Sequence, residues 1–244
     1  MKIIEEIEEL QEFLGNLRKN NERIGLIPTM GSIHKGHLSL VNMSKKMNCI
    51  SVVTIFVNPT QFNDHEDFIN YPTNKKNDIS ILISKKNDAL YFPKSIDLYP
   101  NGLERKKTVF DFRNILCDKL RPGHFDGVTT VVNNLFSLIK PDIAFFGEKD
   151  FQQLKLIEKL ISNNNLPIKI HACPSIRMKN GMSYSSRYKK FSSFQKKIFE
   201  IIANKIMHTV NLLKEKIDLN LINSLSKDIL KLDSIKIEYI EIRE

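Results

Sequence analysis

Two histidines lie three residues apart in the segment PTMGSIHKGH, residues 28–37. His34 and His37 bracket Gly36, and side chains three apart at the start of a helix face the same way. Such rings can donate hydrogen bonds to triphosphate oxygens and stabilise the charge that develops as pyrophosphate leaves. Two other hypotheses stay open at this point: the pair binds a metal ion, or both histidines are structural.

The glycines of this segment do not form either of the common phosphate-binding loops. The segment lacks the G-x-x-x-x-G-K-[ST] pattern and the G-x-G-x-x-G pattern. Its H-x-G-H motif resembles that of the nucleotidylyltransferase superfamily, which includes the class I aminoacyl-tRNA synthetases. The motif alone is short, but PTMG precedes it, and it stands between a predicted strand and a predicted helix.

Polar side chains also follow two other predicted strands. Asn58 and Gln61 in FVNPTQF, residues 56–62, are placed to hydrogen-bond a substrate, although an ordinary Asn-Pro turn is an alternative. In FGEKDFQQ, residues 146–153, Gly147 permits close approach of a ligand to the backbone. Lys149 offers a charge to phosphate, and Asp150 suits a ribose hydroxyl or a metal-bound water. A helix cap with an acidic first turn is the structural alternative.

A fourth polar segment, MSYSSR at residues 182–187, carries hydroxyls and Arg187. Such a loop suits a mobile phosphate clamp. Taken alone, it is more typical of a solvated linker.

These segments need elements that position them, and the apolar patterning predicts an alternation of strands and helices. We predict strands at residues 23–28, 49–57, 88–92, 141–146 and 166–173. We predict helices at residues 3–18, 36–47, 73–86, 128–139, 149–161, 192–215 and 219–232. Residues 107–112 are predicted to form an extra strand or a hairpin, and the C-terminal SIKIEYIEIRE a half-exposed strand. The alternation predicts an α/β fold, a Rossmann-like doubly wound parallel sheet.

The character of the chain changes after Pro174, where polar and basic residues replace the strand pattern. We therefore predict two domains: residues 1–175 form the Rossmann-like part, and residues 176–244 a small α+β part.

Composition limits the classes of function. The net charge is +9, but the excess is mostly scattered lysine without an aromatic-rich RNA-binding motif, so a nucleic-acid partner is not expected. The three cysteines lack the spacing of a zinc site or a disulfide framework. The acidic, amphipathic N-terminus is not a secretory signal, and no apolar run is long enough to span a membrane. We expect a cytoplasmic protein.

Together the motifs resemble the pantothenate synthetase (pantoate–β-alanine ligase) family over nearly the whole chain. The matching segments, in order, are PTMGSIHKGHLSLV, IFVNPTQF, the pair Tyr71-Pro72, LYPNG, RPGHFDGV, KPDIAFFGEKDFQQL and SIRMKNGMSYSSR. The resemblance implies ATP-dependent condensation of pantoate with β-alanine through a pantoyl adenylate, giving pantothenate, AMP and pyrophosphate.

The resemblance also implies roles for single residues. The catalytic residues are His34, His37, Lys149 and Arg187, with His37 as the candidate general acid. Gln61 and Gln153 bind pantoate, and Gln61 also lies near β-alanine. The residues implied in ATP binding are Met30, Gly31, Ser32, Ile33, His34, Lys35, Gly36, His37, Gly147, Glu148, Lys149, Asp150, Ile176, Tyr184, Ser185, Ser186 and Arg187.

Further expectations follow from the family. Mg²⁺ accompanies ATP, with Asp78 as a candidate metal-side carboxylate, and the protein is a homodimer. Residues 1–175 bind ATP and pantoate, and residues 176–244 form a lid, shortened because family members continue past Glu244. The chain departs from the family where Thr73-Asn74 replaces the usual Arg-Thr and where Tyr188 replaces the usual Asn.

Two other function classes stay open. A different nucleotidylyltransferase would release pyrophosphate and keep the nucleotide joined to its substrate. A lysine-rich binding protein without activity would bind nucleic acid in a strongly salt-dependent manner.

Overall fold

The computed structural model describes residues 1–104, 109–215, 218–232 and 235–241, with the side chain of Lys189 excepted. The chain divides into two compact units, Met1–Ser175 and Ile176–Glu244. The functional labels that the sequence attaches to the two parts stay predictions.

The described part of the first unit contains one sheet of six strands. The strands are β1 (Lys2–Ile4), β2 (Ile24–Thr29), β3 (Ile50–Ile55), β4 (Ala89–Tyr91), β5 (Ile143–Gly147) and β6 (Lys169–Cys173). All neighbouring strands are parallel, in the order β1-β4-β3-β2-β5-β6. This confirms the predicted α/β class with a parallel, Rossmann-like sheet.

Within residues 1–104 and 109–175, eight α-helices connect and cover these strands. They are α1 (Ile7–Lys19), α2 (Lys35–Lys46), α3 (His65–Ile69), α4 (Lys75–Ser84), α5 (Ser95–Leu98), α6 (Leu116–Leu120), α7 (His124–Ile139) and α8 (Phe151–Asn163). Short 3₁₀ helices, Pro59–Gln61 and Glu148–Asp150, follow β3 and β5.

The central strands are apolar on both sides because helices cover both faces of the sheet. Leu26 and Val52 belong to one buried cluster, whereas the next residues along, Ile27 and Val53, belong to a second. Neighbouring residues of a strand point to opposite faces, so the near-continuous apolar runs fill two cores. At Gly25 no β-carbon would fit, since it would collide with Ser44 of α2, and the helix therefore lies close against β2.

The strand order places the chemistry-bearing loops together. β2 lies between β3 and β5. After β2 the chain forms β3 and then β4 on one side of it, and later returns to form β5 on its other side. Ligands of open α/β sheets bind at such a switch point, beyond the carboxyl ends of the strands. The loops after β2, β3 and β5 all leave from that edge.

The opposite edge of the sheet is held by two carboxylates. Asp142 accepts a hydrogen bond from the backbone N–H of Ile24 at 2.7 Å, and Asp88 accepts one from the N–H of Ser51 at 2.8 Å. Each aspartate directly precedes a strand and bonds the start of a neighbouring one. The strands are thereby fixed where they begin.

Three predictions of local structure need correction. The predicted helix at 3–18 begins at Ile7, because Lys2–Ile4 pair with β4 as an edge strand. Residues 109–112 of the expected 107–112 strand form no strand, and 107–108 lie outside the described residues. The expected C-terminal strand is wrong for residues 235–241, which form none, while 234 and 242–244 lie outside the described residues.

The second unit is mainly helical in its described part. It contains α9 (Ser193–Glu215), α10 (Leu219–Leu230), a 3₁₀ helix at Ser186–Lys190 and an isolated antiparallel bridge between Arg177 and Ser183. Lys205 of α9 pairs with Asp228 of α10 at 3.4 Å. Across the described residues of both units, no helix combines the length and the apolar character needed to cross a membrane.

Candidate functional site

The loop between β2 and α2 has a fixed backbone. Gly31 and Ser32 adopt left-handed conformations, with φ of 83° and 51°. Asp78 of α4 accepts hydrogen bonds from the N–H groups of Ser32 and Ile33, each at 2.8 Å. Its side chain is 1% exposed, so the carboxylate is committed to the loop it holds.

This contact changes the interpretation of Asp78. Both carboxylate oxygens already accept backbone hydrogen bonds, and the sequence-based prediction was a metal-side ligand. Among the described residues, no group of three or more His, Cys, Asp and Glu side chains could hold a metal ion. We therefore assign Asp78 to positioning the loop and give up its assignment as a metal ligand.

The two imidazoles of the loop form a stacked pair. The ring centroids of His34 and His37 lie 4.0 Å apart with planes inclined by 11°. The backbone N–H of His34 donates to Nδ1 of His37 at 3.4 Å, so the ring proton of a neutral His37 lies on Nε2. His34 directly precedes α2, which places both rings at the positive end of the helix dipole.

His37 is held in its neutral form. Although part of the residue reaches solvent, its ring lies deep among protein atoms. This burial, followed by the charges of His34 and Lys149, lowers the pKa of His37 to about 3. At neutral pH the ring can donate one hydrogen bond from Nε2, but it does not carry the second proton that a general acid would release.

The loop after β5 contributes groups to the same edge of the sheet. Lys149 is exposed in the 3₁₀ helix at 148–150, and its charge acts on His37. A β-carbon at Gly147 would meet no atom within 4 Å, so the backbone there adjoins open space that a ligand can occupy. Asp150 makes no side-chain cap bond at the start of α8, so the helix-cap alternative fails for it. Glu148 is also exposed, and its charge adds to burial in raising the pKa of Cys173.

Gln61, after β3, reaches the first loop. Its Nε2 donates to Sδ of Met30 at 2.9 Å, and its Oε1 accepts from Nδ2 of Asn58 at 3.2 Å. His124 at the start of α7 donates from Nδ1 to the Gln61 carbonyl oxygen at 2.6 Å. The amide of Gln61 is thereby fixed beside the H-x-G-H loop.

The two neighbouring glutamines of α8 differ in what they contact. Gln152 is occupied: it bonds the backbone of Cys117 at 3.1 Å and the carbonyl oxygens of Phe112 and Ile115, each at 3.1 Å. Gln153 is half-buried, and its side chain makes no hydrogen bond to the described residues. The amide of Gln153 is therefore the one available to a ligand.

The remaining residues predicted in this unit follow their positions in the loop. Ile33 is 2% exposed and packs in the core, so only its backbone is near a ligand. Lys35 and Gly36 form the first turn of α2, with Lys35 exposed.

The sequence-based prediction that Asn58 hydrogen-bonds a substrate needs correction, because its amide is buried and bonded within the protein. Two residues of the matching segments, Tyr99 and Gly127, had been given no role. Asn58 and Tyr99 are buried and hydrogen-bonded to each other at 2.8 Å. A β-carbon at Gly127 of α7 would collide with the carbonyl oxygen of Thr60 and lie 2.8 Å from the N atom of Gln61. The helix was predicted to begin at residue 128, one residue after Gly127, so the sequence contained no signal of this close packing; the observed helix begins at His124.

The predicted clamp residues lie in the second unit. Residues 176–184 form a tight hairpin in which the N–H of Tyr184 donates to the Ile176 carbonyl at 3.2 Å. The backbone of this segment is therefore hydrogen-bonded to itself. Ser185 accepts a hydrogen bond from the N–H of Arg187 at 3.3 Å and caps the 3₁₀ helix in which Ser186 is buried.

Tyr188, the departure from the family pattern, has its own contacts in this unit. Its hydroxyl accepts from Nδ2 of Asn180 at 3.3 Å, and the ammonium group of Lys196 lies 5.4 Å from its ring centroid.

Comparison with known proteins gives one consistent result. The profile of the Pantoate-beta-alanine ligase family matches residues 2–244. The pantothenate synthetase of Caldicellulosiruptor bescii is 38% identical over 99% of this chain and 86% of its own length. That of Buchnera aphidicola from Acyrthosiphon pisum (strain 5A) is 45% identical over 81% of this chain and 70% of its own.

Solved structures agree. Pantothenate synthetase from Thermus thermophilus has a TM-score of 0.90 at 29% identity, covering 98% of this chain and 86% of that one. A pantoate-beta-alanine ligase from Francisella tularensis, complexed with beta-gamma ATP and beta-alanine, has a TM-score of 0.80 at 40% identity, covering 84% of this chain and 78% of that one.

Proposed function

The chain belongs to the pantoate-beta-alanine ligase family, and from that premise we propose how its residues join pantoate to β-alanine. It is an ATP-dependent ligase of pantothenate biosynthesis. The alternative of a nucleotidylyltransferase that forms no amide is not favoured, because the family match extends over residues 2–244 rather than over the H-x-G-H segment alone.

The reaction has two steps. A pantoate carboxylate oxygen attacks the α-phosphorus of ATP, and the bond to the β-phosphate oxygen breaks to release pyrophosphate. The amine of β-alanine then attacks the acyl carbon of the adenylate, loses a proton, and AMP leaves. The first step is needed because a free carboxylate is a poor acyl donor to an amine, and the site must keep water from the adenylate.

The stacked histidines act in the first step as hydrogen-bond donors. With Nδ1 of His37 accepting from the backbone, its Nε2–H is the group left to meet a phosphate oxygen. The N–H groups of Ser32 and Ile33 are bonded to Asp78, so phosphate binding falls to the two rings and to the amino end of α2. We propose this donor role for the neutral ring of His37, and its general-acid role stays a prediction from the family.

The acid substrate binds between the two amides. Gln61 is fixed beside Met30, and Gln153 lies one turn into α8 from Lys149. Amide N–H groups suit the carboxylate and hydroxyl oxygens of pantoate. Lys149 neutralises phosphate charge, and Asp150 accepts from a ribose hydroxyl.

Other roles stay predictions from the family. Ile176 and Tyr184 contact the nucleotide, and Ser185, Ser186 and Arg187 contact its phosphates. Their test is Arg187→Ala, which we expect to raise the KM for ATP. We also propose that the protein is cytoplasmic and that it forms a homodimer. Analytical ultracentrifugation would test the dimer.

Magnesium has no ready protein site in the described residues, since the carboxylate of Asp78 is occupied by the loop and no three-ligand cluster is present. We propose that the ion arrives bound to the triphosphate, as is usual for Mg²⁺. The residues above therefore act on the nucleotide and on pantoate directly.

One observation carries this proposal: the loops after β2, β3 and β5 meet. Gln61, after β3, bonds Met30, after β2, and the charge of Lys149, after β5, lowers the pKa of His37 in the β2 loop. The test measures AMP and pantothenate from ATP, Mg²⁺ and pantoate, with and without β-alanine. We expect pantothenate and AMP in equal amounts only with β-alanine. Pyrophosphate release with the nucleotide retained on the product would refute the ligase assignment.

His37→Asn is the variant for the same assay, because its Oδ1 can still accept from the His34 N–H while Nε2–H is lost. We expect at least a hundredfold loss of turnover. The exposed His65 provides the matched control, and His65→Asn should keep full activity.

A further inference from the structure

A buried hydrogen-bond network lies behind Gln61. The Oδ1 atom of Asn58 accepts from the Tyr99 hydroxyl at 2.8 Å, from the Thr60 hydroxyl at 2.9 Å and from the Thr60 N–H at 3.3 Å. The Nδ2 atom donates to the Gly127 carbonyl and to Oε1 of Gln61, each at 3.2 Å. Asn58 is 1% exposed and Tyr99 5% exposed, so water does not satisfy these groups.

The network fixes which way each amide points. Three donors meet one oxygen of Asn58, so its NH₂ group must face Gly127 and Gln61. Because that NH₂ donates, Gln61 must turn its oxygen toward Asn58 and its own NH₂ toward Met30. Reversing Gln61 would set two NH₂ donors against each other and leave the Asn58 donor without its acceptor, which is unfavourable.

Tyr99 is itself held firmly. Its ring lies 6.4 Å from that of Phe56, and Asn134 of α7 bonds the carbonyl oxygen of the preceding Leu98 at 2.7 Å. Burial raises the pKa of Tyr99, so the hydroxyl keeps its proton at neutral pH. It is therefore a constant donor.

We infer that Tyr99 is a positioning residue that acts through Asn58 to make Gln61 present N–H donors to the acid substrate. The inference rests on the proposed pantoate-binding role of Gln61 and goes beyond it, because it explains why that amide favours an anionic oxygen. Tyr99 makes no contact with substrate in this arrangement. Loss of the Tyr99 hydroxyl should therefore change the KM for pantoate and leave the KM for ATP unchanged.

The test is Tyr99→Phe, which removes only the hydroxyl. We expect the KM for pantoate to rise about five- to tenfold, corresponding to the loss of roughly one hydrogen bond, with the KM for ATP within about twofold of the parent. Tyr91→Phe is the matched control: Tyr91 is fully buried in the same unit, and its hydroxyl donates to Asp97 at 2.9 Å. It should lower the melting temperature without changing the KM for pantoate.

A double-mutant cycle separates positioning from general damage. Asn58→Asp removes the NH₂ group that orients Gln61, so adding Tyr99→Phe should have no further effect on pantoate binding. Thr60→Val, which removes a second donor to the same oxygen, should raise the KM for pantoate in the same direction.

The outcomes are distinct. An unchanged KM for pantoate in Tyr99→Phe, or equal changes for pantoate and ATP, would overturn the inference while leaving the ligase assignment intact. If the parent protein makes no pantothenate, the proposed function itself fails. Should Tyr99→Phe not fold, Thr60→Val decides the question alone.

Discussion

The low pKa of His37 makes a prediction about the free protein that does not depend on catalysis. Its value of about 3 lies well below the ordinary 6.5 of a histidine. The unfolded chain therefore binds a proton at this residue between pH 6.5 and pH 3, whereas the folded chain does not. The contribution of His37 to the free energy of unfolding must therefore fall as the pH decreases through that window, and it is fully present only above pH 6.5.

The size of the effect follows from the two values. Between pH 7 and pH 5 the folded ring stays neutral, while the unfolded ring passes about 1.5 pH units below its own pKa. At about 1.36 kcal/mol per unit, His37 alone removes about 2 kcal/mol from the free energy of unfolding.

The assay is urea unfolding followed by circular dichroism at pH 7 and pH 5. His37→Asn cannot titrate, so its loss of stability on acidification should be about 2 kcal/mol smaller than that of the parent. His65→Asn removes an exposed ring and serves as the control: it shows how far the pH dependence of the free energy of unfolding changes when a histidine outside the site is lost. Nuclear magnetic resonance gives a direct check, since the His37 ring signal should not shift between pH 7 and pH 5. A ring that titrates near pH 6 or above would refute the reasoning.

Three other sets of substitutions test the geometry. Asp78→Asn removes one of two acceptors under the loop and should cost about 1–3 kcal/mol in urea unfolding and weaken ATP binding. Asp88→Asn, at the other edge of the sheet, should cost stability only, and an equal effect of both on the KM for ATP would contradict the assignment. Gly127→Ala should lower the free energy of unfolding by about 1–3 kcal/mol because the added carbon meets backbone. Gly15→Ala, with no atom within 4 Å of the new carbon, should raise it by about 0.5–1 kcal/mol, and similar values for the two would count against the close packing. Lys149→Met should raise the KM for ATP about tenfold and raise the pKa of His37, and the absence of both changes would remove Lys149 from the site.

The central strands could be predicted from sequence because each is a β-branched run that is buried on both faces. Residues 49–57, for example, contain the observed strand Ile50–Ile55. The edge strand Lys2–Ile4 could not, since three residues carry too little pattern and its apolar side chains continue the periodicity of α1. The short helices α3, α5 and α6 were missed for the same reason.

The candidate site divides in a similar way. The imidazole pair, Lys149 and the glutamines stand at strand ends, where sequence and sheet geometry together predict chemistry. The supports of these residues depend on contacts across long sequence separations: Asp78 bonds the loop from 46 residues away, and Asn58 bonds Gly127 from 69 residues away. No local pattern encodes such contacts, and so Asp78 was assigned to a metal and Tyr99 received no role.

Asp142 and Asp88 accept hydrogen bonds from the N–H groups of Ile24 and Ser51, at the amino ends of the strands. This arrangement has a consequence for how the scaffold can change. The two aspartates set strand register far from any ligand, so alignment of the β-strands does not rely on the segments that bind substrate. Replacing or lengthening those segments therefore leaves the foundation in place. A designer seeking a ligase for another hydroxy acid can vary the substrate-binding candidates Gln61 and Gln153 while keeping Asp88 and Asp142 unaltered.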